Sequence, residues 1–446
     1  MKSNQPEVAE MLADYFNSAA LSVGGDHVNN LKERDHENHT SVKVIRETYK
    51  IYPDSVFEFR PFSQDEVTLT LEHLNSKKSS GWNPGITSNL LKKVARGVSS
   101  SLTSLYNECI HECKWPTQWK MGEWTPVYKQ GDKQKDKNYR PITSLITVDK
   151  VFEQLLCSQV TSKFDSILHS RMTAYRKTHS CETTLVRLVE DLKKAIDQRE
   201  LVCVLSTDMS KAFDSLLHTL TLKNFEAYGF GPSSLSLMRS FFENRKNRVK
   251  IRNAKSEWKH MKRGCPQGSS FGPVIWNLFQ NDMAQQVTNS NLTMYADDHQ
   301  TYKIGTYLGM VKDSLEEQGK QAMSWYEENY LQANPDKFQM LNIDPTNVNT
   351  SQQNQDISLN GQVVKNKNQL ELFGVDVDDS LNFSNHISEV CKKASGKVGV
   401  LTRLRNLVPC SAKLTIYKTS ILPHLTYCHI VWHFCKASDR RKIERV

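Results

Sequence analysis

The chain has 446 residues, 38% of them hydrophobic, and a mean hydropathy of −0.56, which is enough for two or three subdomains around a sizeable core. No apolar run approaches the ~20 residues that cross a bilayer, and Met1-Lys-Ser-Asn-Gln-Pro-Glu7 lacks the basic-then-apolar order of a secretory leader. Ten cysteines without C-x-x-C spacing argue against a disulfide scaffold or zinc cluster, so reduced thiols in an intracellular protein are expected, and a net charge of +9 permits a polyanionic partner.

In chain order, Val8, Met11, Leu12, Tyr15 and Phe16 recur at helical spacing, and the stretch from Gly24 to Ser41 is polar with little to bury. From Phe62 a helical pattern runs through Val67, Leu71 and Leu74 to a turn at Gly81-Trp-Asn-Pro-Gly85. Phe152, Leu155, Leu156 and Val160 predict a core helix. Leu201-Val-Cys-Val-Leu205 is apolar without a break, as expected of a strand buried on both faces. Asp208 follows it, and Ala212, Phe213, Leu216, Leu217 and Leu220 then continue at helical spacing. A carboxylate where a buried strand gives way to a helix projects from the sheet end, a common ligand position; a helix N-cap is the local alternative.

Asn291-Leu-Thr-Met-Tyr-Ala-Asp-Asp-His-Gln-Thr-Tyr302 reads as a hairpin, with Leu292, Met294 and Ala296 alternating before the turn and Asp297 and Asp298 at it. Adjacent carboxylates repel and require a compensating cation. Hard oxygen donors of this kind suit Mg²⁺ together with substrate phosphates, which points to phosphoryl transfer. A second such pair, Asp378-Asp379, is followed by Ser380 and Asn382 and reads as a plain turn. From residue 391 onward there are twelve basic residues against Asp439 and Glu444. This segment is either a solvated helix face or a surface for a nucleic-acid backbone.

Three ordered motifs resemble the reverse transcriptases of non-LTR (LINE-like, jockey/CR1-like) retrotransposons. Tyr295-Ala-Asp-Asp298 resembles Y/F-x-D-D. Asp208-Met-Ser-Lys-Ala-Phe-Asp214, with His218, resembles D-x-x-x-A-F-D-x-x-x-H. Gly264-Cys-Pro-Gln-Gly-Ser-Ser-Phe-Gly-Pro273 resembles G-x-P-Q-G-S-x-L-G-P. Asn138-Tyr-Arg-Pro-Ile142 is similar to N-Y-R-P-I, whereas Asn83-Pro84-Gly85 stands where an Asp-Gly is usual.

The resemblance, covering about residues 75–440, implies an α+β right-hand polymerase with helical fingers, an antiparallel-sheet palm and a partial helical thumb. Residues 1–105 would be an N-terminal connector and helical extension, 106–378 fingers and palm, and 379–446 the primer-grip exit and a truncated basic thumb. It implies RNA-directed DNA synthesis by two-metal nucleotidyl transfer from a dNTP to a primer 3′ hydroxyl. Asp208, Asp297 and Asp298 would hold two Mg²⁺ ions, with Mn²⁺ a possible substitute and Asp298 the weaker ligand. Arg140 and Lys129 would hold the triphosphate, and Gln267 and Gly268 would contact nucleotide and template. Phe213 would gate against a ribose 2′ hydroxyl, and Lys337 would protonate pyrophosphate. RNA template, DNA primer and dNTPs are the implied partners, with no membrane.

Glu371-Leu-Phe-Gly-Val375 resembles the turn that grips the primer. No endonuclease is recognised, and Lys442-Ile-Glu-Arg-Val446 ends inside a helical pattern without a C-cap signal, so a truncated element is expected. Priming at a genomic nick implies action in the nucleus. An RNA-binding remnant that has lost productive extension is the competing expectation.

Overall fold

The computed structural model describes residues 4–25, 27–50, 55–77, 81–82, 85–288, 291–345 and 356–446; Asn83 and Pro84 of the expected turn lie outside them. The chain is a mixed α/β protein with antiparallel and mixed sheets. It divides into two compact units: Met1–His169 with Met209–Gln286 and Met323–Ala333, and Ser170–Asp208 with Val287–Ala322 and Asn334–Val446. All ten cysteines are unpaired thiols. No helix among the described residues is long and apolar enough to cross a membrane.

In the first unit the amphipathic N-terminal pattern forms the helix Gln5–Leu21, opened by a proline in its first turn, where the missing N–H has no intrahelical partner to lose. Ala9, Leu12, Ala13 and Phe16 bury against Trp124 and Val249. Those two residues belong to a sheet in which Met121–Tyr128 runs antiparallel to Tyr139–Ser144 and parallel to Lys246–Ile251.

The predicted core helix is Thr147–Phe164, and it buries Val151, Phe152, Leu155, Leu156 and Val160 as expected. It also buries two acids completely, Asp149 and Glu153, one turn apart. Trp115 Nε1 donates to Asp149 at 2.8 Å, and Glu153 accepts from Ser269 Oγ at 2.9 Å and Ser270 N at 2.6 Å. Burial pushes both carboxyls upward in pKa while the positive charge of Arg245 pulls against that shift.

The helical pattern expected from Ala212 to Leu220 is broken in two. Ala212–Ser215 is a single short turn of helix, and a second helix begins at His218 and runs to Ala227. The cause is tertiary: Phe213 O accepts from Cys265 N at 2.9 Å and Leu216 O from Gly264 N at 2.7 Å. These carbonyls would serve residues four further along in a continuous helix.

In the second unit a five-stranded sheet has the order Asn366–Lys367, Gln339–Ile343, Leu201–Thr207, Asp298–Gly305, Asn291–Tyr295. The last four strands are mutually antiparallel and the short edge strand is parallel to its neighbour. Leu201–Thr207 is central, and Leu201 to Leu205 are each no more than 3% exposed. Val202 and Val204 face Leu185, Leu188 and Leu192 of the helix Cys181–Asp197, while Leu205 lies close to Gly319. The unbroken apolar run therefore reflects burial on two sides, with alternate residues serving each. Helices over Ser384–Arg403, Cys410–Ile416, Leu422–Thr426, His429–Trp432 and Ala437–Glu444 follow, and of the twelve basic residues after position 391 all are exposed except Lys413, which is half-buried.

Candidate active site

The hairpin predicted around Asp297 forms as Asn291–Tyr295 and Asp298–Gly305 joined through Ala296 and Asp297. The structure thus puts the turn at Ala296 and Asp297, one position earlier than expected, with Asp298 first in the returning strand. So tight a connection needs a left-handed backbone, and Ala296 supplies it at φ +55°. A non-glycine residue held there costs on the order of 1–3 kcal/mol, a strain typical of functional turns. The outer edge of the hairpin is tied down by Met294 N donating to Arg171 O and Thr173 N to Met294 O, each at 3.1 Å. The Tyr295 ring packs 5.2 Å from Phe373, in the Phe373–Gly374 turn between Gln369–Leu372 and Val375–Asp378.

The central strand carries Asp208 to the same end of the sheet. Its ladder with the hairpin closes at Thr207 opposite His299, so one further step places Asp208 beside Asp298 and next to the Asp297 turn. Opposed residues at such a step lie roughly 4.5–5.5 Å apart at Cα. Negative charge does accumulate here: the Tyr175 phenol is pushed upward first by desolvation and then by Asp297 and Asp298.

The Asp208 carboxylate is already engaged by a cation. Its Oδ2 accepts from Lys337 Nζ at 2.8 Å and Asn334 Nδ2 at 3.2 Å, and Asn334 N donates to Asp208 O at 2.9 Å. Lys337 reaches it from the short 3₁₀ turn Pro335–Lys337. Among the described residues no group of three or more His, Cys, Asp or Glu side chains stands close enough together to hold one metal ion. The donor set itself, three carboxylates at one sheet end and no sulfur or imidazole, suits Mg²⁺ or Mn²⁺.

The remaining sequence candidates fall in the first unit. Arg140 is exposed and sits opposite Val127, while Lys129 N donates to Asn138 O at 2.8 Å. Lys129 and Arg140 therefore share one face of the hairpin as diagonal neighbours, about 7–8 Å apart at Cα. Gln267 O accepts from Thr143 N at 2.7 Å, which pins the 264–272 loop to the strand carrying Arg140. Gly268 has φ +124°, and a Cβ there would stand 2.5 Å from Thr143 O, so only glycine fits. The Phe213 ring lies against fully buried Trp276, centroids 5.1 Å apart.

His218 of the A-F-D segment is a brace. Its ring stacks on Phe242 at 4.4 Å and burial lowers its pKa to about 4. Being neutral, it donates Nε2–H to Gly264 O at 2.7 Å, since a carbonyl can only accept.

Three contributors escaped the sequence reading. Glu153 anchors the 264–272 loop, Asn334 orients Asp208, and Asp214 receives Gln267 Nε2 on both oxygens, at 2.9 and 2.8 Å. An acid set among the apolar residues of a predicted core helix was the available signal for Glu153. Asp378 takes the turn role read from the sequence: its carboxylate accepts from Ser380 N, Asn382 N and Phe383 N at 3.0, 3.0 and 2.6 Å.

Comparison with known proteins bears on this geometry. The profile of the family described as reverse transcriptase (RNA-dependent DNA polymerase) matches residues 129–377. Among similar proteins, a probable RNA-directed DNA polymerase from transposon BS of Drosophila melanogaster is 24% identical over 86% of this chain and 44% of its own length. The corresponding X-element protein of the same fly is 26% identical over 86% and 43%. The RNA-directed DNA polymerase from mobile element jockey, also from D. melanogaster, is 24% identical over 93% and 46%. The chain thus spans somewhat under half the length of these relatives.

Proposed function

The chain belongs to the reverse transcriptase (RNA-dependent DNA polymerase) family, and from that premise we propose that it is the RNA-directed DNA polymerase of a non-LTR retrotransposon, extending a DNA primer on an RNA template with dNTPs. The single observation carrying the reading is the strand register that ends at Thr207 opposite His299 and so brings Asp208 beside the Asp297–Asp298 pair.

In this reading the 201–207, 298–305 and 291–295 strands are the palm, the helices and strands of 106–200 contribute the fingers, and the basic helices from 384 onward are a thumb that follows the duplex backbone. The segment 1–105 is the connector and extension, and 379–446 begins the thumb. Asp208 and Asp297, with Asp298 assisting, would hold two Mg²⁺ ions, which when bound would supply Lewis-acid activation of the primer hydroxyl and neutralisation of the triphosphate. Arg140 offers a paired donor set to phosphate oxygens and Lys129 a point charge. Lys337, resting on Asp208 when no divalent ion does, is a proton donor suited to the leaving pyrophosphate. Gly268 lets backbone approach the nucleotide. Action at a genomic nick in the nucleus is part of the same proposal.

Oligo(dT) on poly(rA) with dTTP and Mg²⁺ tests the reading. Extension is expected, and binding of the duplex with no extension would instead support an inactive remnant. Phe213, held against Trp276, is assigned to sugar selection. Phe213→Val is expected to raise UTP use relative to dTTP by about 10- to 100-fold, the range that a few pocket methylenes command, as read from the ratio of kcat/KM values; an unchanged ratio would make Phe213 a core residue only.

A further inference from the structure

We propose that the segment 23–41 is a clasp on the chain turn at Tyr330, and that through this turn His39 and Tyr330 act as positioning residues for Asp208. The inference rests on the polymerase reading above and adds a determinant that lies outside its motifs.

By composition the stretch Gly24–Ser41 had little to bury, yet Val28, His36 and Ser41 are each no more than 1% exposed. Its side chains converge on the end of the helix Leu308–Glu328. A carbonyl only accepts, so the His39 nitrogen 2.9 Å from Glu328 O, Nε2, carries the proton, and Nδ1 accepts from Ser41 N at 3.2 Å. Ser41 Oγ donates to Asn329 Oδ1 at 3.1 Å. The Tyr330 ring stands 6.1 Å from that of His36 and 6.2 Å from that of His39, and His36 Nε2 is itself held 3.0 Å from Thr219 Oγ1. Arg263, 1% exposed, joins the two segments by donating to Val23 O and, at 3.1 Å, to Tyr330 O.

The turn needs holding because Tyr330 sits at φ +57°. This is the left-handed conformation in which a helix usually ends on glycine, and a tyrosine persists there only where its surroundings over-determine it. The consequence reaches the carboxylate site along the backbone. Leu331 N donates to Tyr326 O at 2.8 Å, and Gln332–Ala333 then pairs with Met209–Ser210, the residues next after Asp208. Asn334 follows directly, its N and Nδ2 holding Asp208 O and Oδ2 at 2.9 and 3.2 Å. A turn relaxed at 330 would carry Asn334 with it, and Asp208 would lose a partner that aims it. Arg140 and Lys129, assigned to the triphosphate, are placed by other strands, so the expected loss lies in kcat and not in KM for dTTP.

Conformation and packing at position 330 make opposite predictions. Tyr330→Gly takes a positive φ without steric cost and should keep primer extension within about twofold. Tyr330→Val, larger and apolar but ill suited to a left-handed turn, should lower kcat about tenfold with KM for dTTP unchanged. Were position 330 a packing site only, valine would be the milder change. His39→Asn keeps a good N-cap on Thr40–Thr48 but offers no ring and falls short of Glu328 O. It should also lower kcat about tenfold, and Tyr330→Gly added to it should recover most of that loss. Extension of oligo(dT) on poly(rA) by the full chain gives kcat and KM, and thermal melting checks the fold. Hydrogen exchange of the amides 329–334 is the second readout: faster in Tyr330→Val and His39→Asn, near the parent in the double variant. Should Tyr330→Val melt early, His39→Asn with and without Tyr330→Gly carries the test. Valine milder than glycine, a His39→Asn loss that Tyr330→Gly deepens, or exchange at 329–334 unchanged by His39→Asn would overturn the proposal. No extension by the unaltered chain would overturn the polymerase reading and the role toward Asp208 with it, while the exchange would still decide whether the clasp holds the turn.

Discussion

Asp297→Asn is expected to lower primer extension by about 10³-fold or more while leaving the fold intact. The amide has the shape of the carboxylate and asparagine is at home in turns, so the two-residue connection through Ala296 and position 297 persists. The loss is one unit of negative charge at a site that would neutralise divalent ions. Those ions stabilise the transition state by several kcal/mol, and about 4 kcal/mol at 1.36 kcal/mol per decade corresponds to the stated factor. The chain supplies its own control in Asp379, the second member of the other Asp-Asp pair, next to an Asp378 whose carboxylate is consumed by turn amides. Asp379→Asn should leave extension within about twofold, as for most surface changes away from a site. Equal effects of the two changes would remove the distinction between them. Extension is read on oligo(dT)–poly(rA), with thermal melting as the fold check.

Arg245→Met is expected to have the largest effect on stability. Asp149 and Glu153 are both 0% exposed, one turn apart on Thr147–Phe164, and each repels the other's ionised form. Arg245 is 1% exposed, with its guanidinium 4.1 Å over the Phe241 ring and Nε donating to Phe241 O at 2.6 Å. It is the cation whose field lowers both acids. Removing one partner of a buried charge group costs about 3–5 kcal/mol because the others are left uncompensated.

The sign of the pH dependence follows from the direction of the shifts. Both carboxyls are raised in the folded state, so above the usual carboxyl range of about 4 the folded chain holds more protons than the unfolded one, and stability falls as pH rises. Without Arg245 the acids rise further and the fall extends to higher pH. Urea midpoints of the variant and the parent should therefore differ least near pH 4 and most near pH 8. A pH-independent gap would mean that only packing was lost. Because Glu153 also holds Ser269 and Ser270, the variant should loosen the loop that carries Gln267.

The parts of the fold that could be read from the chain were those written in local pattern. Leu201 to Leu205 announce a strand covered on both sides, and the alternation of Leu292, Met294 and Ala296 announces the hairpin. The resemblance then linked Asp208 to Asp297 across some ninety positions, a link that the antiparallel register supports. Hidden features were those decided by distant partners. The helix expected over 212–220 is interrupted because Phe213 O and Leu216 O serve the 264–265 backbone, and no periodicity records that. Asp214 stood inside a recognised motif, yet its role depends on a glutamine fifty-three residues later. Arg245 looks like a surface charge until the core closes over it. The turn at Asp378 was legible because its partners, Ser380, Asn382 and Phe383, lie within five residues.

Crystals of the chain with primer–template, grown in Mn²⁺ and measured at the manganese edge, examine the carboxylate site most directly. Two anomalous peaks about 3.5–4 Å apart, each about 2.1 Å from an oxygen of Asp208 or Asp297, with Lys337 withdrawn from Asp208, are the predicted result. Manganese bound elsewhere, with Asp208 still closed on Lys337, would contradict the account.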